Sequence, residues 1–102
     1  MIILQHAVLD IRTPSLDEIE RWFSQVDPEK QARLKSLRRE EDRVRSICAD
    51  HLARTMLAPH CALPPERIRF GRGENGKPFV QDFDVFYNVS HSGNFAACAV
   101  HC

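Results

Sequence analysis

Apolar residues change their spacing along the chain, and the changes predict a strand, helices and then several strands. Residues 2–9 form an apolar run with β-branched residues at its start, which predicts a first strand. From Val44 to Met56 apolar residues recur at helical spacing, so we predict a helix that ends near Ala58, before Pro59. Further short apolar runs predict strands over residues 68–70, 78–80, 85–90 and 95–100. This order is typical of an α+β domain with a largely antiparallel sheet.

Local signals mark where the helices begin and where they are interrupted. Ser15 followed by Glu18 has the spacing of a capping box, which predicts the start of a first helix. Asp27 and Pro28 predict a second helix, with Asp27 as N-cap and Pro28 at the first helical position. A polar run over residues 38–43 then predicts a bend or break near residues 37–41.

The length and the charge balance exclude several classes of protein. The chain has 102 residues, which is one domain, and 14 basic residues balance 14 acidic ones. A highly charged nucleic-acid tail, an acidic disordered segment and a polybasic membrane anchor are therefore all disfavoured. The cations are nevertheless clustered, because residues 30–54 hold eight of them against four acids. Such a local cluster suits a small anionic ligand better than a nucleic acid.

The remaining composition predicts a cytoplasmic protein with neither a membrane span nor a disulfide framework. No apolar run approaches the length of a membrane span, and the first residues lack a signal-peptide pattern. The four cysteines are irregularly spaced, which favours a reducing compartment. The pairs His60-Cys61 and His101-Cys102 could supply four zinc ligands, but structural zinc sites favour closely spaced pairs on tight turns.

Two loops and one helical segment carry candidate chemistry, and each also has a purely structural interpretation. Gly76 and Lys77 could let the backbone and an ammonium group approach a phosphate, or Asn75-Gly76 could simply form a hairpin turn. Ser90 and His91 end an aromatic strand, where neighbouring side chains point to opposite faces. That alternation argues against a hydrolytic pair and leaves either a phosphate-binding rim or ordinary turn chemistry.

The helical residues that could bind a phosphate are Lys30, Arg33 and Arg45. Lys30 and Arg33 are three positions apart and share a helix face. Arg45 lies about 22 Å from Lys30 along a straight helix, so the three could meet one phosphate only if the helix bends back. Their structural interpretation is a solvated basic face.

Four motifs taken together, in this order, resemble the 4′-phosphopantetheinyl transferases of the Sfp type. The motifs are Pro28-Glu29-Lys30, Arg45 with Asp50-His51-Leu52-x-Arg54, Gly76-Lys77-Pro78, and Asn88-Val89-Ser90-His91-Ser92-Gly93. The resemblance implies one half of a pseudo-twofold α+β fold, in which a mostly antiparallel sheet packs against helices. It also implies transfer of 4′-phosphopantetheine from coenzyme A to a serine of an acyl or peptidyl carrier protein, in fatty acid, polyketide or nonribosomal peptide biosynthesis. The coenzyme A-binding residues that it implies are Lys30, Arg33, Arg45, Gly76, Lys77, Ser90 and His91.

The chain departs from the family pattern in its last residues. Family members continue with a Gly-x-Asp-x-Glu strand and a helix bearing Trp-x-x-Lys-Glu, whose residues bind Mg²⁺ and move protons. No such motif is present, so we expect residues 1–102 to be an N-terminal lobe with neither a catalytic residue nor a metal ligand, inactive alone. The alternative is a non-catalytic module that binds coenzyme A or adenosine bisphosphate, or a dimeric half-domain. The uncharged run 95–100 is expected to form an exposed edge strand through which a homodimer could pair.

Overall fold

The computed structural model describes residues 2–74, 76 and 78–101, and within them the α+β prediction is confirmed. Lys77, one of the predicted site residues, lies outside these ranges. The elements are β1 (Ile3–Asp10), α1 (Leu16–Gln25), α2 (Pro28–Lys35), α3 (Glu40–Cys61), β2 (Phe70–Arg72), β3 (Pro78–Val80), β4 (Phe86–Ser92) and β5 (Phe95–His101). A single 3₁₀ turn, Pro65–Arg67, lies between α3 and β2.

The helix starts agree with the sequence signals, with one exception. Ser15 and Glu18 form the predicted capping box at α1. The break between α2 and α3 is also present. Asp27 occupies the N-cap position of α2 but makes no capping hydrogen bond through its side chain, which instead binds Arg54.

The predicted end of α3 near Ala58 was wrong. The helix continues through Pro59 to Cys61, and Ala62 ends it in the left-handed conformation, where its N–H donates to the Ala58 carbonyl. A proline lacks the N–H that would donate to the carbonyl four residues earlier. Because Pro59 lies only two residues before the end of α3, this missing bond affects the last turn alone. The strand predicted over residues 68–70 likewise begins later, at Phe70, because the Ile68 carbonyl accepts a hydrogen bond from Arg54.

The five strands form one antiparallel sheet in the order β1-β5-β4-β3-β2. β5 therefore lies inside the sheet, where it pairs with β1 on one side and β4 on the other. The expectation that residues 95–100 form an exposed edge was wrong, because β1 pairs with β5 on the side that β4 leaves open. The homodimer predicted through that edge loses its structural basis.

The helices pack on one face of the sheet and leave the other face more open. On β5, Ala96, Cys98 and Val100 are buried against the helices, whereas the alternate residues Ala97 and Ala99 are only partly buried. The core has two parts, one where α3 packs on the sheet and one where α1 and α2 pack on the N-terminal half of α3. Among the described residues no helix is both long and apolar enough to cross a membrane.

Arg54 of α3 is a buried cation that joins three separate segments. Its Nε donates to Asp50 Oδ1 at 2.6 Å, and Nη2 donates to Asp27 Oδ1 at 3.2 Å. Nη1 donates to the Ile68 carbonyl at 2.7 Å, and the guanidinium lies 4.8 Å from the centre of the Phe70 ring. Since only 1% of Arg54 is exposed, these contacts replace the water that the charge would otherwise require.

A stacked pair of rings joins α1 to α3. The rings of Trp22 and His51 are nearly parallel, with centres 3.7 Å apart. His51 Nδ1 is buried and has no hydrogen-bond partner among the described residues. Burial lowers the pKa of His51, an effect partly opposed by the charge of Asp50.

We expect Arg54→Met to destabilise the fold strongly. The substitution leaves the buried Asp50 and the carboxylate of Asp27 without their shared partner, which typically costs about 3–5 kcal/mol in the free energy of unfolding. Urea denaturation followed by circular dichroism would measure the loss. Arg12→Gln, which removes an exposed ion pair with Asp10, should leave the midpoint unchanged. Equal midpoints for the two variants would contradict this account of Arg54.

We also expect His51 to make stability fall as the pH is lowered. Because the folded state lowers the pKa of this histidine, the unfolded chain binds a proton more readily once the pH drops below about 6.5. The contribution is therefore complete above that pH and is lost below it. His51→Phe keeps a ring against Trp22 but cannot titrate, so its stability should fall less between pH 7.5 and 5. Parallel pH profiles for wild type and variant would disprove the effect.

Candidate anion-binding site

A cleft of about 630 Å³ opens between α2 and the sheet, on the side of the sheet that carries the helices. One wall comes from α2 and the other from β2 and β4, with α3 behind them. Three cations line it, together with the carboxylates of Asp27 and Glu29; the cations are Lys30, Arg33 and Arg72. Asp27 forms an ion pair with Arg54, which leaves Glu29 as the other carboxylate against the three cations. The net charge of the cleft lining is therefore positive.

Lys30 and Arg33 form the α2 wall, as their three-residue spacing predicted. The Lys30 ammonium lies 3.4 Å from Asp50 Oδ2 and keeps about a third of its side chain exposed, whereas Asp50 is buried. Asp50 thus accepts from Arg54 in the core through one oxygen and faces Lys30 at the cleft surface through the other. This carboxylate fixes Lys30 at the cleft wall without removing it from solvent.

The sheet wall combines aromatic rings with one imidazole. Phe70 and Tyr87 have ring centres 4.9 Å apart, and His91 lies two residues beyond Val89 on the same face of β4. Burial raises the pKa of Tyr87 to about 12, so the phenol stays protonated at neutral pH and can donate a hydrogen bond. An adjoining hollow of about 240 Å³ shares Lys30, Phe70 and Tyr87 with the cleft.

The structure brings together some of the predicted site residues and separates others. Lys30, Arg33 and His91 share the cleft. Ser90 lies on the opposite face of β4, where Ala97 is its partner on β5, and strand alternation accounts for the separation. Ser90 therefore does not line the cleft with His91.

Arg45 and Gly76 lie outside the cleft lining, and Lys77 lies outside the described residues. Arg45 Nη1 donates to the Gly93 carbonyl at 2.8 Å, and Nη2 binds Asp42. Arg45 thus fastens α3 to the turn between β4 and β5. Gly76 has a φ of 74°, a conformation that favours glycine, and its carbonyl accepts a hydrogen bond from Arg72.

Sequence reasoning missed Arg72 and assigned no site function to Asp50 and Arg54. Arg72 falls in residues 71–76, which were predicted to be loop, and no spacing rule distinguishes it there. Asp50 and Arg54 have the four-residue spacing of a helical ion pair, which could have predicted their contact. That spacing cannot show that the pair is buried or that it adjoins Lys30.

Among the described residues no three histidine, cysteine or acidic side chains form a group that could hold a metal ion. Asp82 and Asp84 lie exposed near the start of β4. Burial raises the pKa of the Cys48 and Cys98 thiols to about 11, which disfavours the thiolate form that binds metals. The arrangement in the cleft instead suits an anion, because ammonium and guanidinium groups donate well to phosphate oxygens. Beside them Leu34, Leu37, Ala49 and Val89 form an apolar floor, which can cover the remainder of a small ligand.

Comparison with known proteins identifies the family. Residues 12–102 match the family model described as 4′-phosphopantetheinyl transferase, N-terminal. The 4′-phosphopantetheinyl transferase Sfp of Bacillus subtilis (strain 168) is 36% identical over 89 residues, and the match covers 86% of this chain and 40% of Sfp. The 4′-phosphopantetheinyl transferase gsp of Aneurinibacillus migulanus is 39% identical over 98 residues, with 91% and 40% covered.

A third relative, from a different organism, is covered over a smaller part of its length. The phosphopantetheinyl transferase of Thraustochytrium sp. is 36% identical over 79 residues, and the match covers 74% of this chain and 27% of that protein. The chain thus spans about two fifths, or less, of the length of these relatives. The family match and the identities lead to one conclusion: the chain belongs to the 4′-phosphopantetheinyl transferase family.

Proposed function

We propose that the cleft binds the phosphate-bearing part of coenzyme A, as one portion of an enzyme that transfers 4′-phosphopantetheine. The observation that carries the proposal is the pair of cations on α2, Lys30 and Arg33, facing His91 across an apolar floor in a member of this transferase family. Phosphate oxygens accept from all three side chains when the imidazole is protonated or presents an N–H.

The proposed reaction joins 4′-phosphopantetheine to a serine of an acyl or peptidyl carrier protein. The serine oxygen bonds to the phosphorus that carries pantetheine, and the bond from that phosphorus to the bridging oxygen breaks. Adenosine 3′,5′-bisphosphate leaves with the bonding electrons, and a base takes the serine proton. In this scheme Lys30 and Arg33 hold a phosphate, while the Arg45 contact with Gly93 positions the turn beside Ser90 and His91. Lys77 is proposed to line the nucleotide site, on the strength of its motif alone.

The magnesium expected for the complete enzyme does not fit the described residues, which offer no cluster of carboxylates. The chain covers about two fifths of relatives such as Sfp and gsp. We propose that the metal ligands and the base belong to a second lobe, and that residues 1–102 correspond to the N-terminal lobe.

A second candidate is a module that binds coenzyme A or adenosine 3′,5′-bisphosphate without catalysis. It is favoured by one observation, namely that three cations, Lys30, Arg33 and Arg72, line the same cleft. Such a set can bind a phosphate-bearing ligand whether or not a reaction follows. The two candidates share the cleft and differ in whether transfer follows.

We expect the chain to bind adenosine 3′,5′-bisphosphate and Lys30→Gln to weaken that binding roughly tenfold, since a charge-assisted hydrogen bond is lost. Isothermal titration calorimetry on the folded protein would measure both affinities. Lys35→Gln, on the exposed part of the same helix, removes the same charge outside the cleft and should change the affinity less than about twofold. A chain that binds no bisphosphate, or equal losses in the two variants, would refute the proposed site.

We further expect residues 1–102 to transfer no phosphopantetheine on their own. Without a bound metal ion at the reacting phosphorus and without a base for the serine proton, the bound substrate should not react. The assay combines the chain with apo carrier protein, coenzyme A and Mg²⁺, and mass spectrometry reads the carrier. A full-length transferase serves as the positive control. Clear turnover by the pure chain would show that the catalytic groups lie within it.

A further inference from the structure

The short helix α2 is attached to the C-terminal end of α1 by the side chain of Gln31. Its amide nitrogen Nε2 donates to the Val26 carbonyl at 2.8 Å, and the Ser24 carbonyl oxygen lies 3.4 Å from the same nitrogen. Carbonyl groups at the end of a helix have no partner within that helix. Within the described helix α1, the last turn also has no basic residue that could serve them. Gln31 therefore supplies donors to the end of α1 from the neighbouring helix.

Gln31 lies between Lys30 and Arg33 in sequence but on a different face of α2. Successive helical residues are turned by about 100°, so the two cations lie together on one side and Gln31 lies well away from both. Lys30 and Arg33 line the cleft, whereas the Gln31 amide is directed to α1. The rotation of α2 about its own axis decides whether both cations face the cleft, and the Gln31 hydrogen bonds restrict that rotation.

The other attachments of α2 restrict this rotation less directly. Asp27 binds Arg54 from the residue before the helix, and the buried Leu34 makes apolar contacts, which have no preferred direction. Lys30 faces Asp50 at 3.4 Å, but a bound phosphate would compete for the same ammonium group. Among the described residues, Gln31 is thus the one side chain within α2 that ties the helix to another element by hydrogen bonds and takes no part in the cleft.

We propose that Gln31 is a positioning residue for the ligand, which holds α2 in the rotation that places Lys30 and Arg33 on the cleft wall. The inference rests on the proposed function, because it specifies what keeps the two cations of that same site in place. Without the amide donors, α2 would sample rotations in which a cation leaves the wall. The apparent affinity then falls in proportion to the fraction of molecules that have the competent arrangement.

The first test compares two substitutions of glutamine by methionine, which keeps the length of the side chain and removes its donors. Gln31→Met should weaken binding of adenosine 3′,5′-bisphosphate about fivefold in isothermal titration calorimetry. Gln25→Met, at the end of α1, is the matched control and should bind like the wild type. Gln25 belongs to the same helix junction but forms neither of the hydrogen bonds to the Ser24 and Val26 carbonyls. Circular dichroism shows whether each variant folds.

A double-mutant cycle distinguishes positioning from a general loss of stability. Lys30→Gln should cost about tenfold in affinity in the wild-type chain but only about threefold when Gln31→Met is present, since a displaced lysine contributes less. A general loss of stability would leave the two effects independent, so that they multiply. Gln31→Arg keeps N–H donors at this position, and Ala32→Arg adds the same charge at an exposed position of α2. Gln31→Arg should therefore bind at least as tightly as Ala32→Arg.

Several results would contradict the role of Gln31. Gln31→Met binding like Gln25→Met, or effects that multiply with those of Lys30→Gln, would overturn the inference and leave the proposed function standing. Should Gln31→Met not fold, Gln31→Arg decides the question, because weaker binding than that of Ala32→Arg overturns the inference and equal binding supports it. A wild-type chain that binds no bisphosphate would overturn the inference and the proposed function together.

Discussion

A guanidinium buried out of reach of water has to find all its partners within the protein, and this requirement determines how the domain is assembled. Arg54 donates hydrogen bonds to Asp50 on its own helix, to Asp27 before α2 and to the Ile68 carbonyl before β2. Three segments far apart in sequence therefore converge on one side chain. Burying a charge in this way contributes little net stability compared with an apolar core, but a wrong arrangement would leave the charge unpaired. Packings that separate Arg54 from these partners are therefore disfavoured.

The same constraint gives the cleft its shape, because the two segments that Arg54 fixes lead directly into the two walls. Asp27 precedes α2 with its cations, and Ile68 precedes β2, which ends in Arg72. Asp50 connects the buried charge to the surface by facing Lys30. The ammonium group of Lys30 is therefore placed by an interaction with the core rather than by a surface loop. Little reorganisation is needed when an anion enters a cleft built in this way, which favours binding.

Much of the local structure could be predicted from the sequence because short-range chemistry determines it. The capping box at Ser15, the proline at the start of α2 and the alternation that separates Ser90 from His91 all depend on neighbours within a few residues. What could not be predicted depends on distant partners. The place of β5 inside the sheet requires β1, and the inclusion of Arg72 in the site requires α2 to lie opposite β2. Apolar patterning does not specify such pairings.

The order of the strands has a consequence for how the domain is made. β1 and β5 are the first and last strands of the described residues, yet they pair along nearly their whole length. A ribosome releases the chain from its N-terminus, so β1 emerges long before the strand that will cover it. Contacts between such distant residues also slow folding, because a long loop must close before they form. During synthesis the apolar β1 therefore remains unpaired until β5 has been made, and chaperones can bind it in that interval.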